Sequence, residues 1–300
     1  MTVGLIDSGL GLVPTAGWIR YLQPASDMVL ALDPAGAPWG PRPAGFIVDR
    51  VLACAEQAVL HGARALVLSC NTASVTALEA LRREFEPAIP VIGTVPAVKP
   101  AAEAGRPFAV WATRRTTASS YQAELLRRFA AEQTVVQVSC PGLAEAVDSG
   151  DAGAVDAAVA EAADRTPAHC RSVVLGCTHY PLVADRIRRV LPPETRLFDT
   201  SQAVARQTLR RLRNTARAVP GGGGGVRVLL SGEEGALPPA ARAYPLGSAL
   251  AEGAAVTRDL LLPTRSKARS GDGIRATLHG SPLLEPEDGL LAQHRTGRTW

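Results

Sequence analysis

Along most of the chain, short apolar runs alternate with longer stretches in which Ala, Leu and Arg recur at helical spacing. The runs at 3–6, 28–32, 65–68, 91–93, 108–111, 135–138, 173–175 and 226–230 predict strands. The stretches 43–60, 76–84, 119–131, 152–164, 182–191 and 203–216 predict helices, and 237–242 a short one. Alternation of this kind predicts an α/β fold, a mainly parallel sheet with helices on both faces.

Two of the predicted strands end alike, in Ala65-Leu-Val-Leu-Ser-Cys-Asn-Thr-Ala73 and Ser172-Val-Val-Leu-Gly-Cys-Thr-His-Tyr180. The likeness suggests two similar halves. Cys70 and Cys177 fall where a strand gives way to a loop, the edge at which open α/β sheets bind ligands. Face to face, the two thiols would flank one small molecule and could move a proton between the faces of a carbon. The Pro-rich stretch 94–100 and the glycine run 221–225 after Pro220 are natural connections. They divide the chain into a first lobe, 1–95 with 206–257, and a second, 96–205. From about 258 to 300, Ser, Gly, Pro, Arg and Glu replace the periodic pattern, which predicts a disordered tail.

Composition removes several classes of function. The 300 residues are 46% hydrophobic but only 4% aromatic, so the core rests on small aliphatic side chains. The formal charge is +4, and residues 264–300 contribute +2 of it, six Lys/Arg against four Asp/Glu. No nucleic-acid footprint follows from that balance. No apolar run reaches bilayer length and the start is not of signal-peptide type, so the expectation is a cytoplasmic protein without a membrane partner. Five cysteines with no close-spaced pair argue against a disulfide framework or a zinc ribbon. Lys99 and Lys267 are the only lysines, which disfavours a Schiff-base cofactor and a lysine-bearing phosphate loop.

Asp7-Ser-Gly-Leu-Gly11 follows the first predicted strand. Pro14 stands at the third glycine position of a dinucleotide fingerprint, so that match is weak. Asp7 and Ser8 either face a ligand or form a turn leading into a helix. At Cys70, a following helix N-terminus would lower the thiol pKa and offer N–H donors to a carboxylate. His179 beside Cys177 adds a titratable imidazole suited to proton relay. Cys54, Cys140 and Cys170 lack such neighbours and read as packing residues. No cluster has metal-ligand spacing.

Over about residues 3–250 the sequence resembles the glutamate racemases of the aspartate/glutamate racemase superfamily. The resemblance rests on Ile6-Asp-Ser-Gly9, Pro38-Trp-Gly40, Cys70-Asn-Thr-Ala-Ser74 and Gly176-Cys-Thr-His-Tyr-Pro-Leu182, with weaker matches at 113–121 and Asp199-Thr200. It implies two α/β lobes related by a pseudo-twofold, with the amino acid in the cleft and no cofactor. Cys70 and Cys177 would be the two acid/base residues, serving the D and L enantiomers respectively. Asp7 and His179 would assist them. Ser8, Pro38, Trp39, Gly40, Asn71, Thr72 and Thr178 would bind glutamate, and the product would serve peptidoglycan synthesis. A homodimer is left open.

The chain departs from that pattern in places. Trp39 replaces a tyrosine, Asp33-Pro-Ala-Gly36 lacks the usual threonine and basic group, and Asp148 stands for a glutamate as a further helper. These changes leave room for a sister enzyme acting on aspartate or another small acid, or for a non-catalytic amino-acid-binding relative.

Overall fold

The structure, a computed structural model, describes residues 1–213 and 223–262. The end of the helix predicted over 203–216, the first glycines of the 221–225 run and the tail from 263 lie outside the described residues. Among the described residues, ten strands form two sheets. The first sheet begins with β1 (Thr2–Asp7), β2 (Asp27–Leu32), β3 (Ala65–Leu68) and β4 (Val91–Gly93). The second comprises β5 (Phe108–Ala112), β6 (Val135–Ser139), β7 (Ser172–Leu175) and β8 (Arg196–Phe198). The chain then returns to the first sheet with β9 (Val226–Leu230) and β10 (Glu233–Gly235).

The strand orders are β10-β9-β2-β1-β3-β4 and β6-β5-β7-β8, parallel throughout except for the β9–β10 pair. The second sheet thus repeats the 2-1-3-4 order of the first. In that repeat β7 is the counterpart of β3, so Cys70 and Cys177 leave equivalent strands.

Successive side chains of a strand point to opposite faces, and here both faces are apolar. Val3 and Leu5 of β1, Leu30 of β2 and Val67 of β3 enter one core; Ile6, Val29, Leu66 and Leu68 enter another. In the second sheet Ala109, Trp111 and Val173 join the first of these cores, while Phe108, Val110 and Val174 build a third. One apolar core is therefore continuous between the two sheets. Truncating a fully buried member such as Leu5 would cost about 2–5 kcal/mol.

The helices fill the intervals. They are α1 (Val13–Leu22), α2 (Ala44–Leu60), α3 (Asn71–Phe85), α4 (Val98–Glu103), α5 (Arg114–Thr117) and α6 (Ser120–Phe129). After these come α7 (Leu143–Ser149), α8 (Ala152–Asp164), α9 (Ala184–Val190), α10 (Ser201–Arg213), α11 (Pro245–Ala251) and α12 (Arg258–Leu261). Among the described residues no helix is long and apolar enough to cross a membrane.

Several elements differ from those predicted. All eight predicted strands form, but β8 and β10 were not among them: each has three residues, and β10 is polar and exposed. Helix α1 buries Val13 through Ile19 in an unbroken row, so it carries no polar face to mark its period. Helix α3 starts at Asn71 rather than 76. Asn, Thr and Ser are poor helix formers, and burial of Asn71 through Ser74 overrides that preference. The 182–191 helix divides into a 3-10 turn, Tyr180–Val183, and α9; the 237–242 helix is a 3-10 turn, Pro239–Ala243.

Helix α10 packs against α1, β3 and β4. Regular structure continues past 258, because α12 and Leu262 set apolar side chains against the core.

Candidate active site

Parallel strands leave their C-terminal ends on one side of each sheet, and here the two sets of ends share a cavity of about 780 Å³. From the first sheet come Ser8 after β1, the loop Pro38–Gly40 after β2, and Cys70, Asn71 and Thr72 after β3. From the second come Thr113, Arg115 and Thr116 after β5, Cys140 after β6, and Gly176, Cys177 and His179 after β7; Asp148 reaches in from α7. Ten of the predicted site residues line this cavity. Asp7 and Thr178 do not: they lie behind its wall, where the Thr178 hydroxyl donates to Asp7 Oδ2 at 3.2 Å. Thr178, a predicted substrate-binding residue, thus has its hydroxyl on that carboxylate.

Cys70 is the N-cap of α3, with extended backbone, and the backbone groups of Thr72 and Ala73 favour its thiolate. The helix N-terminus expected to lower the thiol pKa is present, but it does not prevail. Burial, reinforced by the Asp7 charge, pushes the Cys70 thiol well above its ordinary value. Asp7 acts on Cys70 through charge; its own hydrogen bonds come from Gly9 N at 3.2 Å, Ser8 Oγ at 3.3 Å and Thr178. Burial raises its carboxyl to about 6, against the lowering effect of His179.

The second thiol has different company. Cys177 Sγ lies 3.7 Å from His179 Nδ1, and His179 Nε2 lies 3.0 and 3.1 Å from the Asp148 oxygens. Burial opposes charge on the imidazole, but Asp148 outweighs it and holds the His179 pKa well above its ordinary value. Leu10 N–H donates to Asp148 Oδ1 at 2.7 Å, which ties this arm back to the first sheet. Thiol, imidazole and carboxylate form a chain along which a proton can pass.

The glycines of the 7–11 segment owe their presence to this packing. A Cβ at Gly11 would sit 2.4 Å from Asp7 Oδ2 and 2.7 Å from His179 Nδ1; one at Gly9 would sit 2.3 Å from the Asp148 carboxylate. They admit side chains of the site to close contact with the backbone, not a pyrophosphate.

Asp33, with its neighbours, forms a separate anchor. It is fully buried and accepts from Trp39 Nε1 at 2.9 Å, Ser231 Oγ at 2.9 Å and Arg50 Nε at 2.8 Å, with a second bond from Arg50 Nη2. Burial opposes its charge, but these donors win and keep its pKa below the ordinary value. The basic group missing from 33–36 is thus supplied from α2. The Trp39 indole points to this carboxylate and so fixes the Pro38–Gly40 loop.

Sequence reasoning missed Cys140, Thr116 and Arg115. Cys140 lines the cavity, although burial pushes its thiol to about 12. Its position at the end of a predicted strand was the available signal.

Among the described residues no group of three or more His, Cys, Asp or Glu is placed to hold a metal ion. The family model for Asp/Glu/Hydantoin racemase matches residues 28–208. The glutamate racemase of Pseudomonas syringae pv. tomato is 39% identical over 217 residues, 70% of this chain and 78% of that protein. That of Roseiflexus sp. is 36% identical over 210 residues, covering 68% and 77%. Among solved structures, Escherichia coli glutamate racemase in complex with L-glutamate and the activator UDP-MurNAc-Ala superposes with a TM-score of 0.69 at 32% identity. The match covers 81% of this chain and 91% of that one. Paired lobes, paired cysteines at equivalent strand ends and these matches lead to one assignment: the chain belongs to the Asp/Glu/Hydantoin racemase family, among its glutamate racemases.

Proposed function

We propose that this protein interconverts L- and D-glutamate by a cofactor-independent, two-base proton transfer at Cα. The observation that carries the reading is the placement of Cys70 and Cys177, from equivalent strands of two sheets, in the wall of one cavity. In the L-to-D direction Cys177, as thiolate, takes the Cα proton, and Cys70, as thiol, delivers one to the opposite face. The reverse direction exchanges the roles. The raised Cys70 pKa suits it to hold the proton it must give.

Binding follows from the groups around the thiols. Asn71 Nδ2 donates to the Gly176 carbonyl at 2.8 Å, which leaves Oδ1, buried and without a protein partner, as an acceptor for the substrate ammonium. Ser8, Thr72 and the backbone of the Pro38–Gly40 loop receive the carboxylates. A carbon acid is a poor proton donor, so holding sulfur and Cα in reacting geometry must supply much of the acceleration, up to about 7–11 kcal/mol in favourable cases. Donors aimed at the α-carboxylate, where negative charge grows, supply more. D-glutamate formed in this way would feed peptidoglycan synthesis, and thereby cell shape.

The test is Cα exchange in deuterium oxide, followed by NMR with each enantiomer of glutamate and, for comparison, of aspartate. Exchange with both glutamates, nearly abolished by Cys70→Ser and by Cys177→Ser, is the expected result. Folded protein that exchanges neither glutamate overturns the reading, as does full activity in either variant.

A further inference from the structure

The loop 38–42, one side of the cavity, is held from two directions. Within its own lobe it is held by Asp33, through the Trp39 indole. From the other sheet it is held by Arg115, on α5 directly after β5. Arg115 Nε donates to the Gly40 carbonyl at 2.6 Å, and Arg115 Nη2 donates to the Arg42 carbonyl. Arg115 is half-buried and lines the cavity beside Thr116.

We propose that Arg115 is a positioning residue that latches the 38–42 loop across the cavity and thereby sets the closed geometry in which substrate is held. The inference rests on the reading that this cavity binds the amino acid. One planar guanidinium satisfies the carbonyls of Gly40 and Arg42, two residues apart, which fixes both the position and the tilt of the peptide units around Pro41. Those units follow directly on Trp39 and Gly40, whose N–H groups are the ones assigned to a substrate carboxylate. The loop follows a strand of the first sheet and α5 a strand of the second, so opening the cavity between them breaks both bonds. Loss of the latch lowers the population of the closed form, and apparent affinity falls in proportion to that population. Lysine offers a single ammonium on a flexible stem and cannot reproduce the fork.

The experiment compares the full chain with Arg115→Gln and Arg115→Lys, and with Arg106→Gln as a control for loss of an exposed charge. KM and kcat are measured in both directions, together with hydrogen–deuterium exchange of backbone amides by mass spectrometry. For Arg115→Gln, KM should rise about tenfold with kcat within about threefold of the parent value. The amides of Trp39, Gly40 and Arg42 should exchange faster while those of β2 do not. Arg115→Lys should fall between Arg115→Gln and the parent, and Arg106→Gln should match the parent. Parent values of both KM and loop exchange in Arg115→Gln overturn the proposal, and so does a fall in kcat alone. Should Arg115→Gln not fold, Arg115→Lys decides by the same two readouts. Amide exchange needs no turnover. A parent protein without racemase activity would therefore refute the functional reading, while the loop data would still decide the latch.

Discussion

Asp7 is a fully buried carboxyl whose pKa is raised from 3.8 to about 6, and that shift has a consequence for stability. A raised carboxyl binds its proton more tightly in the folded chain than in the unfolded one. Stability therefore falls as pH rises from about 3.8 to about 6, and the loss is complete above that window. Roughly two pH units, at about 1.4 kcal/mol each, make this roughly 3 kcal/mol at neutral pH. Asp7→Asn removes the buried charge but keeps the volume. Its amide oxygen can still accept from Gly9 N–H, but its nitrogen cannot accept from Thr178, which returns about 1 kcal/mol. The variant should be about 2 kcal/mol more stable than the parent at pH 7.5 and no more stable at pH 4, while racemisation drops sharply. Urea unfolding at both pH values measures the difference, with deuterium exchange at Cα on the same samples. A stability difference that is equal at the two pH values, or that favours the parent at pH 7.5, would refute the claim that Asp7 is held at a cost for its function.

Three further outcomes follow from the same geometry. Arg50→Ala strands the buried Asp33 carboxylate and should cost about 2–4 kcal/mol at neutral pH, discounted because Arg50 is 30% exposed. Since the Asp33 pKa is lowered on folding, the difference should narrow in acid as that carboxylate protonates; urea unfolding at pH 7 and below pH 4 reads it. Asp148→Asn removes the group that holds His179 charged, so the imidazole should titrate lower in the variant, as followed by proton–nitrogen NMR; an unchanged titration refutes the assignment. Gly11→Ala drives a Cβ to 2.4 Å from Asp7 Oδ2 and should reduce turnover by about a hundredfold, with far-ultraviolet circular dichroism unchanged; parent kinetics would show that the contact is dispensable.

Local pattern made much of this protein legible. Six of the eight apolar runs are buried on both faces, while 135–138 and 226–230 expose Gln137 and Arg227; their strand character is a property of a few consecutive residues. Cys70 and Cys177 were visible because the same strand-end chemistry occurs twice. Helix α1 was not legible, since its first seven residues are all buried and show no period. The N-terminal turn of α3 was not legible either, because tertiary burial decides it against local propensity. Cys140 stands at a strand end like the other two cysteines, yet its neighbours carry no group that marks it.

The sequence by itself determined the α/β alternation, the two thiols and the family resemblance, because these depend on neighbours within about ten positions. Only the tertiary structure decided which groups serve those thiols. Asp148 meets His179 from 31 residues away and Leu10 from 138, and Arg50 reaches Asp33 across 17. It also decided the sign of the effect at Cys70, where burial exceeds the pull of the helix N-terminus, and at Asp33, where Arg50, Trp39 and Ser231 together exceed burial. Each outcome is a balance of desolvation against partners, and both quantities exist only once the chain has closed around the site.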